Sequence, residues 1–184
     1  MEIVEIIRDS LYSVRYDSAT SGSSEFEYVM DQFTDPIFLE EFFEEHQSDL
    51  NSGFWGSITI EEAILKTRKE AIQLERKLLQ IAESGKTDRY ETLSTLFKPL
   101  RNNPIKIERF EKNKAKGNTA KSWIRIYAIR IDTNFFVITG GSIKLTPTMN
   151  ERTHLLNELD KLENVRKFLL NEDNYDDSYF FELI

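Results

Sequence analysis

Three cations punctuate a β-rich stretch of this chain: Arg125, Arg130 and Lys144 within KSWIRIYAIRIDTNFFVITGGSIKLTPT, residues 121–148. A guanidinium is a planar fork of N–H donors that can hold two phosphate oxygens at once. Cations repeated on a hairpin therefore suggest a surface that meets phosphate. In a strand from Trp123 to Ile131, alternation puts Trp123, Arg125, Tyr127, Ile129 and Ile131 on one face. Ile124, Ile126, Ala128 and Arg130 take the other. Arg125 is thus expected between two aromatic rings. Two uses stay open for it: a guanidinium packed against rings with a carboxylate partner, or a preorganised phosphate clamp.

Gly140-Gly141 reads either as a two-residue hairpin turn or as a bulge or close approach of another group. Lys144 follows it. His154, at a helix start, has the ordinary imidazole pKa of about 6.5 that suits a general acid/base; a cap or surface role is the simpler use of such a histidine. Neither a G-x-x-x-x-G-K-[ST] loop nor a G-x-S-x-G elbow is present, so nucleotide hydrolysis and serine-hydrolase chemistry have no motif to rest on.

Charge is unevenly spread. Residues 1–60 carry 13 acids and 2 bases, residues 86–130 carry 12 bases and 4 acids, and residues 131–184 carry 10 acids and 5 bases. The net charge of −8 argues against a polyanionic partner, but the basic centre between acidic ends argues for one. With 40% apolar residues and 13 Phe, 184 residues can bury one sizeable core. There is no cysteine, hence no disulfide or thiolate metal site, and the two histidines, His46 and His154, lie far apart, so neither a metal nor a cofactor is expected. The N-terminus lacks the basic and long apolar regions of a signal peptide. No apolar run approaches the ~20 residues of a membrane span. No membrane association is expected, and the expected compartment is the cytoplasm.

The elements that would position these residues read as follows. Glu2 to Ile7 and Leu11 to Asp17 are short strands, and residues 18–24 a loop. Glu25 to Phe33 has helical spacing. Asp35-Pro36 starts a helix to about His46, with Asp as N-cap and Pro at the first position. Asn51 to Ser57 is a turn that buries aromatics. Thr59-Ile60-Glu61-Glu62 is a capping box opening the longest helix, which Gly85 stops. A shorter helix from Asp88 to Phe97 makes a helical hairpin with it. Ile105 to Phe110 is a candidate strand, Glu111 to Ala120 a flexible basic loop, and Ser122–Ile131 and Phe135–Leu145 the strongest strands. Thr153 to Leu170 is a helix, followed by an acidic tail with a hydrophobic tip.

From about Thr59 to Leu170 this order resembles the RelE/HigB-like toxins of bacterial type II toxin–antitoxin modules. The segments that carry the likeness are Leu96-Phe97-Lys98-Pro99-Leu100-Arg101-Asn102, Trp123-Ile124-Arg125-Ile126-Tyr127, Ile143-Lys144-Leu145-Thr146 and the helix from Thr153. RIYAIRI and ITGGSIKLT also look like a Bacteroidetes-type subgroup. The resemblance implies a metal-independent endoribonuclease that needs no cofactor and acts on messenger RNA at the ribosome. It also implies an antitoxin partner with a DNA-binding domain. In such enzymes a ribose 2′-OH attacks the adjacent phosphate while cations stabilise the added negative charge. Arg125 and Lys144 match the family's basic positions. His154, Tyr175 and Tyr179 are candidates for the acid/base, with His154 preferred. Arg130, Arg101, Lys98, Lys121, Arg152 and the Lys112–Lys121 loop would grip the backbone, and Tyr127 would stack on a base.

The expected fold is α+β: a helical hairpin on a small antiparallel sheet with a C-terminal helix (residues 59–184), plus an acidic N-terminal α/β extension (residues 1–58). The second functional reading is a non-catalytic interaction protein on the same scaffold, whose acidic N-terminal segment shields the basic sheet or mimics nucleic acid.

Overall fold

The computed structural model describes residues 1–16, 22–100, 110–119 and 121–172, with residues 171 and 172 by their backbone alone. The strands are β1 (Glu2–Ile7), β2 (Leu11–Arg15), β3 (Lys98–Pro99), β4 (Glu111–Lys116), β5 (Ile124–Asp132) and β6 (Phe135–Ile143). They form one sheet in the order β1-β2-β6-β5-β4-β3. The pairings are antiparallel except for β2 with β6, where Leu11, Tyr12 and Ser13 lie beside Phe136, Val137 and Ile138. The helices are α1 (Glu25–Thr34), α2 (Pro36–Glu45), α3 (Gln47–Leu50), α4 (Ile60–Ser84), α5 (Leu93–Leu96) and α6 (Thr153–Glu172).

Local sequence explains the helix starts. The Thr59 hydroxyl accepts from Glu62 N–H while the Glu62 carboxylate accepts from Thr59 N–H, and Ser24 and Glu27 do the same for α1. Asp35 caps α2 with Pro36 at its first position. The second arm of the expected helical hairpin is only the single turn α5. The Asp88 carboxylate instead accepts from Tyr90 N–H in a local turn, and Leu93 N–H is drawn to Asn134 Oδ1. Asn134 also donates to Ser10 Oγ and to the Ala82 carbonyl, tying the β5–β6 turn to β2 and the end of α4.

The architecture is α+β with a C-terminal helix. One face of the sheet, carrying Leu11, Ile124, Ile126, Phe136 and Ile138, is covered by α1, α2 and α4. The other, carrying Tyr12, Tyr127, Ile129 and Val137, is covered by α6 through Leu162, Val165 and Leu169. Residues 1–58 supply two strands and three helices, and Phe26, Val29 and Phe43 share a core with Leu74, Trp123 and Ile126 across residue 58. Apart from Phe110, the candidate strand from Ile105 lies outside the described residues, as does the acidic tail from residue 173.

Glu111 to Lys116 is a strand, not the expected loop. Its Asn113 and Ala115 point into buried space while Lys112, Lys114 and Lys116 take the opposite face. Gly140-Gly141 is no turn, since β6 runs through it. A Cβ at Gly140 would collide with the Glu158 carboxylate, and one at Gly141 would stand 2.6 Å from Val29 and 2.8 Å from the Arg125 carbonyl. The pairing with β5 also slips at this point, between Tyr127 and Ala128.

Candidate phosphate-binding face

Strand register builds the site. Arg125 lies directly between Lys116 on β4 and Ser142 on β6, and Tyr127 lies between Lys114 and Gly140. Direct cross-strand neighbours share a face, so Lys112, Lys114, Lys116 and Arg125 stand on the α6 side of the sheet. The Lys112 ammonium pairs with Glu163 of α6. Beyond the reach of α6, the other cations are left to one another.

The Arg125 guanidinium is half-buried and turns back along its own strand. Its Nη1 donates to the Ser122 and Ile124 carbonyls at 2.8 and 2.7 Å. Its remaining nitrogens make no hydrogen bond among the described residues. Burial lowers its pKa, opposed by Tyr127 and by Glu70 of α4, which attracts it without forming an ion pair. Burial also lowers the pKa of Lys114, and Arg125 and Lys116 add to the effect. Lys144 is lowered by burial, then by Arg125 and Lys114, against the pull of Glu151. Its ammonium donates to the Thr146 and Pro147 carbonyls at 2.7 and 2.5 Å. Lys144 thus feels the charges of both Arg125 and Lys114, and Lys114 feels that of Arg125, which stands diagonally from it on the neighbouring strand.

The other expected site residues lie elsewhere. Arg130 pairs with Glu111 and Phe136, which puts it on the opposite face, five positions along β5 from Arg125. Tyr127 is fully buried and accepts from Ser142 Oγ at 3.4 Å, and burial pushes its pKa up to about 12. It cannot stack on a base. Trp123 precedes the first residue of β5, so alternation does not govern it. It turns to the helix side, where its indole N–H donates to Thr67 Oγ1 at 2.8 Å. Arg125 therefore has no Trp123 ring beside it.

Arg152 is held bidentately by Asp49 at 2.8 and 2.5 Å, which raises its pKa. The Lys98 ammonium is turned to the Ser94 carbonyl, and that of Lys121 to the Phe54 carbonyl. Arg101, Tyr175 and Tyr179 lie outside the described residues. Lys114 and Lys116 were legible only as members of a basic stretch. The lysines at 112, 114 and 116 recur with the two-residue period of a strand, and that spacing is the signal that would have found them.

His154 lines a separate cleft of about 560 Å³ among α1, α2, α6 and the end of β6, with Phe42, His46, Ser142 and Glu158. Its Nε2 lies 3.0 Å from the Ile143 carbonyl, so this nitrogen carries the proton. Burial lowers its pKa, despite the bond to Ile143. Its ring meets those of His46 and Phe42 edge-on, away from the cation cluster.

Glu158, only 6% exposed, shares this cleft. Its Oε1 pairs with Lys161 at 3.0 Å, while its Oε2, against Gly140, is buried with no hydrogen-bond partner. Burial pushes its pKa up to about 7 against the attraction of Lys161, and Glu25 adds to the rise. Tyr16 and Tyr127 also feel its charge. The folded chain therefore holds this proton more tightly than the unfolded chain. The stabilisation is complete below the ordinary carboxylate value of 4.5 and is lost as pH rises to about 7. The wild type should lose on the order of 2–3 kcal/mol over that window relative to Glu158→Gln. Melting both proteins at pH 5 and pH 8 checks this: the Gln variant should gain on the wild type only at pH 8, and an equal difference at both pH values would refute it.

Among the described residues, no group of three or more His, Cys, Asp or Glu is placed to hold a metal, and no helix is long and apolar enough to cross a membrane. Compared with known proteins, the chain matches no family model, no curated protein and no solved structure.

Proposed function

We propose that this protein binds single-stranded RNA through Arg125, Lys114 and Lys144 and cleaves it as a RelE/HigB-like endoribonuclease, acting on messenger RNA at the ribosome in the cytoplasm. One observation carries the reading: three half-buried cations converge with no ion-paired carboxylate among the described residues. Such a cluster repels itself, and a phosphate group relieves the repulsion. The unused N–H groups of Arg125 hold the phosphate oxygens. Lys114 and Lys144 face the charge that builds up as the 2′-OH attacks. Lys144 already donates to the Thr146 and Pro147 carbonyls, so Lys114, whose pKa is lowered as well, is the one left to deliver a proton to the leaving oxygen. His154 is left to the neighbouring cleft. A partner protein that covers this face would be the neutralising antitoxin.

The non-catalytic reading has its own support, since His154 lines the neighbouring cleft and Tyr127, though beside Arg125, is fully buried, which leaves the cluster without either as an acid/base. Shielding by the acidic segment has less. The acids of that segment that pair across the fold, Glu25 and Asp49, reach Lys161 and Arg152 rather than Arg125. Titrating a labelled RNA oligonucleotide at several salt concentrations tests the binding. Contact with three phosphates predicts that log affinity falls against log salt with a slope of about 2. No binding, or a salt-independent Kd, would end the proposal. Product analysis then separates the two readings: 2′,3′-cyclic phosphate ends mean cleavage, and intact bound RNA means binding alone.

A further inference from the structure

Phe54 is 61% exposed, in a loop whose other aromatic, Trp55, is anchored. The loop is held from several sides. Gly53 and Gly56 have φ of +88° and +82°, a left-handed conformation that favours glycine. The Trp55 indole N–H donates to the Leu145 carbonyl at 3.0 Å, and its ring meets the buried Trp123 edge-on at 5.2 Å. Lys121 donates to the Phe54 carbonyl at 3.0 Å, with its ammonium 5.2 Å from the Phe54 ring centre. Lys66 donates to the Lys121 carbonyl at 3.0 Å and lies 4.0 Å over the Trp123 ring. An apolar ring is therefore held in solvent beside the Lys121 ammonium, with the Lys66 ammonium over the neighbouring Trp55 and Trp123 rings.

The same backbone carries the cation cluster. Arg125 Nη1 is bonded to the carbonyl of Ser122, the residue after Lys121, and Lys144 N–H donates to the Trp123 carbonyl at 2.8 Å. Leu145, which receives Trp55, is the next residue. Segments 121–125 and 144–145 thus hold the exposed ring, by way of Trp55 and Trp123 on the helix side, and the cations on the α6 side at the same end of β5 and β6. An aromatic platform flanked by cations is the arrangement that binds single-stranded nucleic acid, because every base offers a face to stack and every linkage a charge to hold.

We infer that Phe54 is the stacking platform for an unpaired RNA base on the strand that runs around this sheet end from the phosphate held at Arg125. The inference rests on the RNA reading above and transfers the stacking role from the buried Tyr127 to a residue in the acidic N-terminal segment.

Binding of the full chain to a short single-stranded RNA, and to the same oligomer with abasic positions, tests it in four proteins: wild type, Phe54→Ala, Phe54→Trp and Arg125→Ala. Phe54→Ala should weaken binding of the base-containing RNA about ten-fold. Its salt slope and its affinity for the abasic oligomer should match the wild type. Phe54→Trp should restore binding. If Phe54→Ala binds RNA like the wild type while Arg125→Ala does not, the stacking inference fails and the RNA reading stands. Equal loss on both oligomers would mean that Phe54 acts through loop structure, which also overturns it. Failure of the wild type to bind either oligomer removes both proposals, and binding of an antitoxin-like protein at Phe54 with no RNA effect makes this loop a protein contact instead.

Discussion

Arg125→Ala is expected to weaken RNA binding by ten- to a hundred-fold. Hydrogen bonds to a charged partner contribute roughly 1.5–3 kcal/mol net, and the guanidinium has several N–H groups uncommitted among the described residues. Losing one phosphate contact should also shrink the salt slope by about 0.7. The fold should scarcely notice. The variant forfeits two bonds to backbone carbonyls but relieves the repulsion that Arg125 imposes on Lys114 and Lys144. Arg125→Lys separates charge from geometry: an ammonium keeps the charge but lacks the fork, so it should recover the salt slope and only part of the affinity. If the protein is a toxin, wild-type expression without an antitoxin slows growth and Arg125→Ala relieves it. An Arg125→Ala protein that binds RNA as tightly as the wild type would remove the site.

Trp123→Ala is the substitution expected to cost most in stability, about 3–5 kcal/mol. Trp123 is fully buried, meets Phe43 and Trp55 edge-on at 5.7 and 5.2 Å, and gives its indole N–H to Thr67. Truncation leaves a cavity where α2, α4 and the sheet meet. Thr67 keeps a partner, since its hydroxyl donates to the Ala63 carbonyl at 2.7 Å, so the loss is mainly packing. For a chain of this size that corresponds to a fall in Tm of roughly 10 °C. Trp123→Phe keeps most of the ring and should cost about 1–2 kcal/mol. Thermal or urea unfolding measures both, and a loss below about 1 kcal/mol for the Ala variant would show that the site collapses to fill the void.

Several elements were legible because their signals are local. A Thr hydroxyl three residues before Glu62 stabilises the first turn of α4 in any context, and Asp35-Pro36 opens α2 in the same way. β5 and β6 were legible as nearly continuous apolar runs because helices bury both faces of the sheet. β4 was not. Its three lysines outweigh Asn113 and Ala115 in any hydropathy reading, and it is a strand because the backbone of β5 supplies a partner. The parallel seat of β2 beside β6 joins residues more than a hundred positions apart, which no local pattern encodes.

The same contrast runs through the candidate site. From the residues alone came the chemistry on offer: an arginine in a strand, a lysine after paired glycines, a basic centre between acidic ends. Charge type is a property of a side chain and needs no fold. Which charges meet is a property of distance, and distance was decided by strand register and helix docking. Arg152, 103 residues from Asp49 along the chain, is neutralised by it, and Arg130 is turned to the opposite face. Arg125 is left with Lys114 and Lys144. Coulomb energy falls with separation in space, not along the chain, so only the folded molecule could show which cations have a carboxylate partner among the described residues and which have none.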